Sequence, residues 1–173
     1  MTTLSNNNFD ALRVLHNPQS ALRETPYGQA ASAIISRERF EIAMNEISKW
    51  SDYEARPLIN LAGLAKKNGI SSLFYKDESE RFNLDSFKAL GGAYATERLL
   101  FSHIKEQLAG TTPTVSDLLN GRYKEITSKV TVACATDGNH GRSVAWGARM
   151  FGCNCIIFIH ADVREGRKKA IEA

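Results

Sequence analysis

The sequence predicts an α/β fold built from parallel βαβ units, and three features carry that reading. "KVTVACAT" and "CNCIIFIH" are rich in β-branched and small residues, as buried strands are. Between them "RSVAWGARMFG" has helical spacing and ends on Gly152. The turn "DGNHG" joins the first strand to that helix, and strand, helix, strand, helix at this spacing belongs to a parallel sheet. Only two strands of the series precede Ala173, too few to bury both faces of a sheet. The unit is therefore expected to be incomplete here, part of a larger architecture or joined by strands of a partner.

The elements follow in order. The first thirty residues are polar and end in a "TPYG" turn. From Ser36 to Trp50, the residues Phe40, Ala43, Met44 and Ile47 recur at three-and-four spacing, which predicts an amphipathic helix. "RPLINLAGLAKKNGI" reads as a short helix closed by Gly69, and "SSLFYKDE" as a strand buried on at least one face. A helix capped by Asp85 or Ser86 should run from about Phe87 to Leu108. The 110–125 segment reads as a connection with about one helical turn. "REGRKKAIEA" starts the final helix, whose basic run reads as a solvated face, and Trp146 and Phe151 are core candidates.

Composition excludes several classes of function. Apolar residues at 43%, charged residues at 24% and a net charge of +3 over 173 residues describe an ordinary globular chain. The charge is too mild and scattered for nucleic acid, and no apolar run reaches the length of a membrane span. Cys134, Cys153 and Cys155 make no disulfide framework and no metal-ligand spacing. They are read as reduced core or edge residues of a cytoplasmic protein, with Cys153 and Cys155 expected on opposite faces of a strand. No metal is implied.

Two motifs carry chemistry. In "TDGNHG", Thr136 to Gly141, Gly138 and Gly141 let a ligand approach the backbone, and the helix that follows turns its free N–H groups toward the loop. That nest suits a carboxylate or a phosphate. Asp137 there is either the helix N-cap or a functional acid/base, the cap being the local preference. His140 reads first as a first-turn residue bonded to backbone. In "FKALGGAYA", Lys88 stands at a helix start, ahead of Gly91 and Gly92, which make room for a planar ring or a neighbouring backbone. Alone it is an ordinary helix lysine. Lys76 is a rival, better suited to an ion pair with the two acids after it.

Taken in order, "KDES", "FKALGGAYA" and "TDGNHGRSVAWGARMFG" resemble the pyridoxal-phosphate enzymes of fold type II. The Asp before Gly-Asn-His, the "KDES-x-R-F" lead-in and "YEARPLINLAGLAKKNGI" are closest to the diaminopropionate ammonia-lyase family, over roughly residues 50–172. The resemblance implies pyridoxal 5′-phosphate as cofactor, held by Lys88 through a Schiff base, with Asn139 bonded to the oxygen on its pyridine ring. It implies that Thr136, Asp137, Gly138 and His140 line the substrate site, and that Asp137 is the base for a D-substrate. Residues 1–95 would be the N-terminal portion of the large cofactor domain and 96–173 part of a small α/β domain.

The implied reaction is α,β-elimination of ammonia from 2,3-diaminopropionate, giving pyruvate and ammonia, in a full-length enzyme that works as a homodimer. The family's glycine-rich phosphate loop is not found among these residues, so the 173 residues alone are expected to be inactive. Two alternatives accompany this reading. One is a serine or threonine dehydratase of the same fold, and the other a non-catalytic fragment that pairs with a full-length subunit.

Overall fold

The computed structural model describes residues 26–172. The chain divides into two compact units, Met1–Arg39 and Phe40–Ala173. In the first, α1 (Gln29–Ile34) is a short helix whose end is tied by the Tyr27 hydroxyl, 2.7 Å from the Ile35 carbonyl. Ser36 Oγ accepts from the Arg39 N–H and so starts α2 (Arg37–Ile47), the helix expected from the apolar spacing, whose residues from Phe40 onward belong to the second unit. Its apolar stripe is largely open, with Phe40 and Met44 exposed.

The second unit departs early from expectation. "PLIN" is not the start of a helix: Leu58–Asn60 form β1, paired antiparallel with β2 (Phe74–Lys76), and only Ala62–Lys67 between them are helical (α3). Both strands are exposed throughout, against the burial expected for β2. A two-stranded ribbon of three residues each lacks the width to bury a face. Gly69 follows α3 at φ +65°, the left-handed conformation that helix ends favour in glycine. Lys76 donates to the Arg56 carbonyl rather than joining the acids after it, and Glu78 pairs with Arg81 instead.

A 3₁₀ turn, Arg81–Asn83, leads to the long helix α4 (Lys88–Gln107). The division expected between residues 95 and 96 falls inside this helix. The connection after it holds two short helices, α5 (Val115–Leu119) and α6 (Lys124–Thr127), where one turn was expected. A capping box starts α5: Thr114 Oγ1 accepts from the Asp117 N–H and Asp117 accepts in return. Then β3 (Thr131–Ala135), α7 (Asn139–Phe151) and β4 (Asn154–Phe158) form the expected parallel βαβ unit, and α8 (Glu165–Glu172) follows. The strands pair in register from Thr131 with Asn154 to Ala135 with Phe158. Gly152 ends α7 at φ +71°.

The main core lies between α4, the α5–α6 connection and α7, around Leu100, Phe101, Ile104, Val115, Leu118 and Phe151. Trp50, Phe82 and Trp146 pack at one end of it. Burying side chains of this size accounts for most of the stability of such a unit, at about 1.5–3 kcal/mol each. One sheet face packs on α7 through Val132, Val144 and Ala148. The other leaves Ile156 and Phe158 about half exposed or more, as two strands must.

Cys153 and Cys155 are both half-buried against that small cluster, on one side of the strand and not on opposite sides. Residues two apart on a strand share a face. Burial raises all three thiols, Cys153 to about 11, so they stay protonated and weakly reactive. No helix among the described residues is long and apolar enough to cross a membrane.

Candidate active site

Lys88 is the first residue of α4, and its side chain is exposed. Its N–H donates to the buried Ser86 Oγ at 3.2 Å, so Ser86, and not Asp85, supplies the local cap contact. The chain reaches this point through an uncommon backbone. Phe82, Asn83 and Asp85 all have positive φ, at +51°, +56° and +52°. Such values are tolerated by Asn and Asp but unusual for a bulky residue. Phe82 is held there by burial: its ring stacks on Trp146 at 4.7 Å between centroids and lies 5.9 Å from Trp50. Arg81 is also buried, with both Glu78 carboxylate oxygens and the Glu54 carbonyl as acceptors.

The second motif lies beyond the carboxyl end of β3, where ligands of parallel sheets bind. The Thr136 N–H donates to the Phe158 carbonyl, which carries the strand pairing one residue into the loop. Gly138 is the N-cap residue, in extended conformation, with no side-chain cap. Asn139, His140 and Gly141 make the first turn of α7, whose N–H groups have no intrahelical acceptor. Gly141 is buried under that turn, where a Cβ would come within 3.1 Å of both Ile157 and Thr136. Asn139 and His140 are exposed.

Two local expectations for this loop are corrected. Asp137 is not the cap: its carboxylate lies 3.6 Å from Arg167 on α8, with both side chains more than half exposed. His140 makes no hydrogen bond to backbone among the described residues, and its side chain is exposed.

The starts of α4 and α7 are joined by residues that the motifs did not single out. Ser143 is fully buried on α7, and its hydroxyl donates to the Lys88 carbonyl at 2.6 Å, with the Ala89 carbonyl at 3.1 Å. Arg142 donates to the Leu84 carbonyl at 3.1 Å and lies 3.9 Å from the Asp85 carboxylate. The helices approach closely because each offers a glycine. A Cβ on Gly92 would overlap Ser143, and one on Gly147 would overlap Ala93. Gly92 therefore serves a neighbouring backbone, while Gly91 faces open space. Gly92 with Thr96, and Ser143 with Gly147, are small residues four apart, and that spacing was the available signal for a close helix crossing.

Two clefts border the second motif. One of about 230 Å³ is lined by Gly138, Asn139, Arg142 and Arg167, and one of about 490 Å³ by Asp137, His160, Asp162 and Arg164 with Arg167. Lys88 lines neither. The donors fit one end of pyridoxal phosphate: an exposed amine at one helix start, and a side-chain amide with free N–H groups at the other. Gly91 adds an open face beside the amine, and Arg142 Nε is buried without a partner among the described residues.

Comparison with known proteins bears on the same residues. Residues 50–173 match the family described as pyridoxal-phosphate dependent enzyme. A diaminopropionate ammonia-lyase of Escherichia coli (strain K12) is 39% identical over 140 residues, 81% of this chain and 34% of that protein. One from Salmonella typhimurium is 37% identical over 111 residues, 64% of this chain and 27% of its own. The chain thus spans about a third of the length of the curated relatives it matches. The crystal structure of the E. coli ammonia-lyase in complex with D-serine superposes with a TM-score of 0.67 at 38% identity, over 79% of this chain and 33% of that one. The same enzyme in complex with an aminoacrylate-PLP azomethine reaction intermediate gives 0.63 at 35%, over 79% and 32%. With the family match covering both motifs and both strands of the parallel sheet, the chain belongs to the pyridoxal-phosphate dependent enzymes.

Proposed function

We propose that this chain is the motif-bearing part of an ammonia-lyase that converts 2,3-diaminopropionate to pyruvate and ammonia, acting at full length as a homodimer. The observation that supports it most is the joining of the two motif helices at Lys88 through Ser143, in a chain 39% identical to such lyases across this region. Pyridoxal phosphate, when bound, supplies the electron sink that acidifies the Cα–H of an amino acid.

The chain's own residues have distinct tasks. The Lys88 amine anchors the cofactor, and once released it carries a proton to the departing β-amino group. Asn139 donates its amide to the ring oxygen. Thr136, Gly138 and His140, with the free N–H groups of the first turn of α7, hold the substrate carboxylate. Asp137 removes the Cα proton of the D-isomer. The proton it takes is the Cα proton that the bound cofactor acidifies. Loss of the β-amino group releases one ammonia, and hydrolysis with one water gives pyruvate and the second.

One finding favours a second reading, elimination of hydroxide from serine: the E. coli relative is described in complex with D-serine. The test uses the full-length enzyme with diaminopropionate and serine supplied in separate reactions and pyruvate as the readout, so that kcat/KM for each can be compared. Lys88→Ala should abolish both activities, and Asp137→Ala should abolish turnover of D-diaminopropionate. Intact D-diaminopropionate turnover in the Asp137 variant would remove that residue from its role, and preference for serine would replace the lyase by a dehydratase.

A further inference from the structure

We infer that Arg142 and Ser143 are positioning residues, which fix the backbone at Lys88 against the turn that carries Asn139; this rests on the reading of Lys88 as the cofactor's anchor. Ser143 is informative because it had a cheaper partner. A helical Ser or Thr ordinarily satisfies its hydroxyl on the carbonyl four residues back. Thr96 does so on Gly92, and Ser102 on Arg98. Ser143 instead reaches across to α4 and takes the Lys88 and Ala89 carbonyls. Those carbonyls lie in the first turn of α4 and already accept intrahelical bonds, so no helix end is being satisfied. The contact serves placement.

Arg142 acts one step upstream. Leu84, whose carbonyl it holds, lies between Asn83 and Asp85, both at positive φ. Asn and Asp tolerate such values, so the Arg142 bond relieves no strain there; it ties the middle carbonyl of the loop to α7. The Arg142 side chain is about a fifth exposed, and its long stem covers the loop while Nη1 bonds it. Arg142 and Ser143 follow Asn139 by three and four residues, so all three share one face of α7. The face that presents the amide therefore also fixes the start of the lysine helix, and the two functional groups keep one register.

The test is made on the full-length protein with Arg142→Met, Arg142→Lys and Ser143→Ala. Amide hydrogen exchange is followed by mass spectrometry, and Lys88 is trapped with pyridoxal phosphate and borohydride. Arg142→Met and Ser143→Ala should each speed exchange over residues 84–90 about tenfold, the effect of losing one such hydrogen bond on a local opening. Exchange in β3 and β4 should stay unchanged, and trapping at Lys88 should slow. Arg142→Lys, which keeps a donor for Leu84, should recover part of both effects. Unchanged exchange over 84–90 would overturn the inference, whatever happens to trapping. Trapping on a different lysine in the unsubstituted protein would overturn the anchor reading alone, and exchange would then decide the positioning role by itself.

Discussion

Gly92 faces Ser143 so closely that a Cβ built on the glycine would stand 2.3 Å from Ser143 Oγ and 2.7 Å from its Cβ. A rotamer change moves Ser143 Oγ but not its Cβ, so it gives no relief, and the Val144 backbone nitrogen is a further tight neighbour at 3.2 Å. Gly92→Ala should destabilise the protein by about 1–2 kcal/mol, overpacking outweighing the gain of about 1 kcal/mol in helix propensity. Gly91→Ala, which meets nothing within 4 Å, should stabilise by up to about 1 kcal/mol. Urea midpoints of the two neighbours should move in opposite directions. A shared direction would mean that the helices do not meet at Gly92.

The aromatic group under the lysine loop predicts a larger effect. Phe82 is 7% exposed and contacts Trp50, Tyr53 and Trp146 by ring packing. Phe82→Ala should cost about 3–5 kcal/mol. It should also change the near-ultraviolet circular dichroism, since both tryptophans lose a ring neighbour. A loss below about 1 kcal/mol would show that the positive φ at Phe82 is not held by burial.

Much of this was legible in the residues, and the reasons differ from place to place. The βαβ unit could be read because "KVTVACAT" and "CNCIIFIH" carry strand composition and Gly152 marks the end of the helix between them. α4 could be read from its cap region and its length. "PLIN" was misread because three residues of strand have no period of their own, and they pair only because α3 folds the chain back on itself. Lys88 and Asn139 belong to motifs that a sequence displays. Arg142 and Ser143 do not, since their partners are backbone carbonyls more than fifty residues away, which carry no side-chain signature. Asp137 was misjudged locally because its partner, Arg167, comes from α8.

Two arginines near the motifs should answer very differently to removal. Arg81 is 5% exposed, and it is the partner of a Glu78 carboxylate whose own side chain is only 18% exposed. Its hydrogen bonds hold the Glu78 carboxyl below the usual carboxylate range. Arg81→Met leaves that carboxylate without its partner and should cost about 3 kcal/mol. Arg167 meets Asp137 in solvent, so Arg167→Ala should change stability by less than about 0.5 kcal/mol. Thermal unfolding of the two variants distinguishes them. Equal losses would mean that the burial of Arg81 confers no advantage.

A buried acid away from the site links folding to pH. Glu97 on α4 is 0% exposed, Trp50 Nε1–H donates to its Oε2 at 2.8 Å, and its Oε1 has no partner among the described residues. Burial pushes its carboxyl up to about 7; the Trp50 bond opposes that rise, and the charge of Glu46 adds to it. In the unfolded chain the same group titrates near its ordinary value of 4.5. Between those values the native state holds a proton that the unfolded state has lost, so stability falls as pH rises. The contribution is complete below about 4.5, gone above about 7, and on the order of 3 kcal/mol in total. The indole N–H resonance of Trp50 should titrate with a midpoint near 7, because the ionised carboxylate is the stronger acceptor. Glu97→Gln keeps an acceptor for Trp50 and removes the proton, so the variant should show a flat resonance and lose this part of the pH dependence of unfolding. A Trp50 resonance that still titrates near 7 in Glu97→Gln would show that Glu97 is not the group responsible.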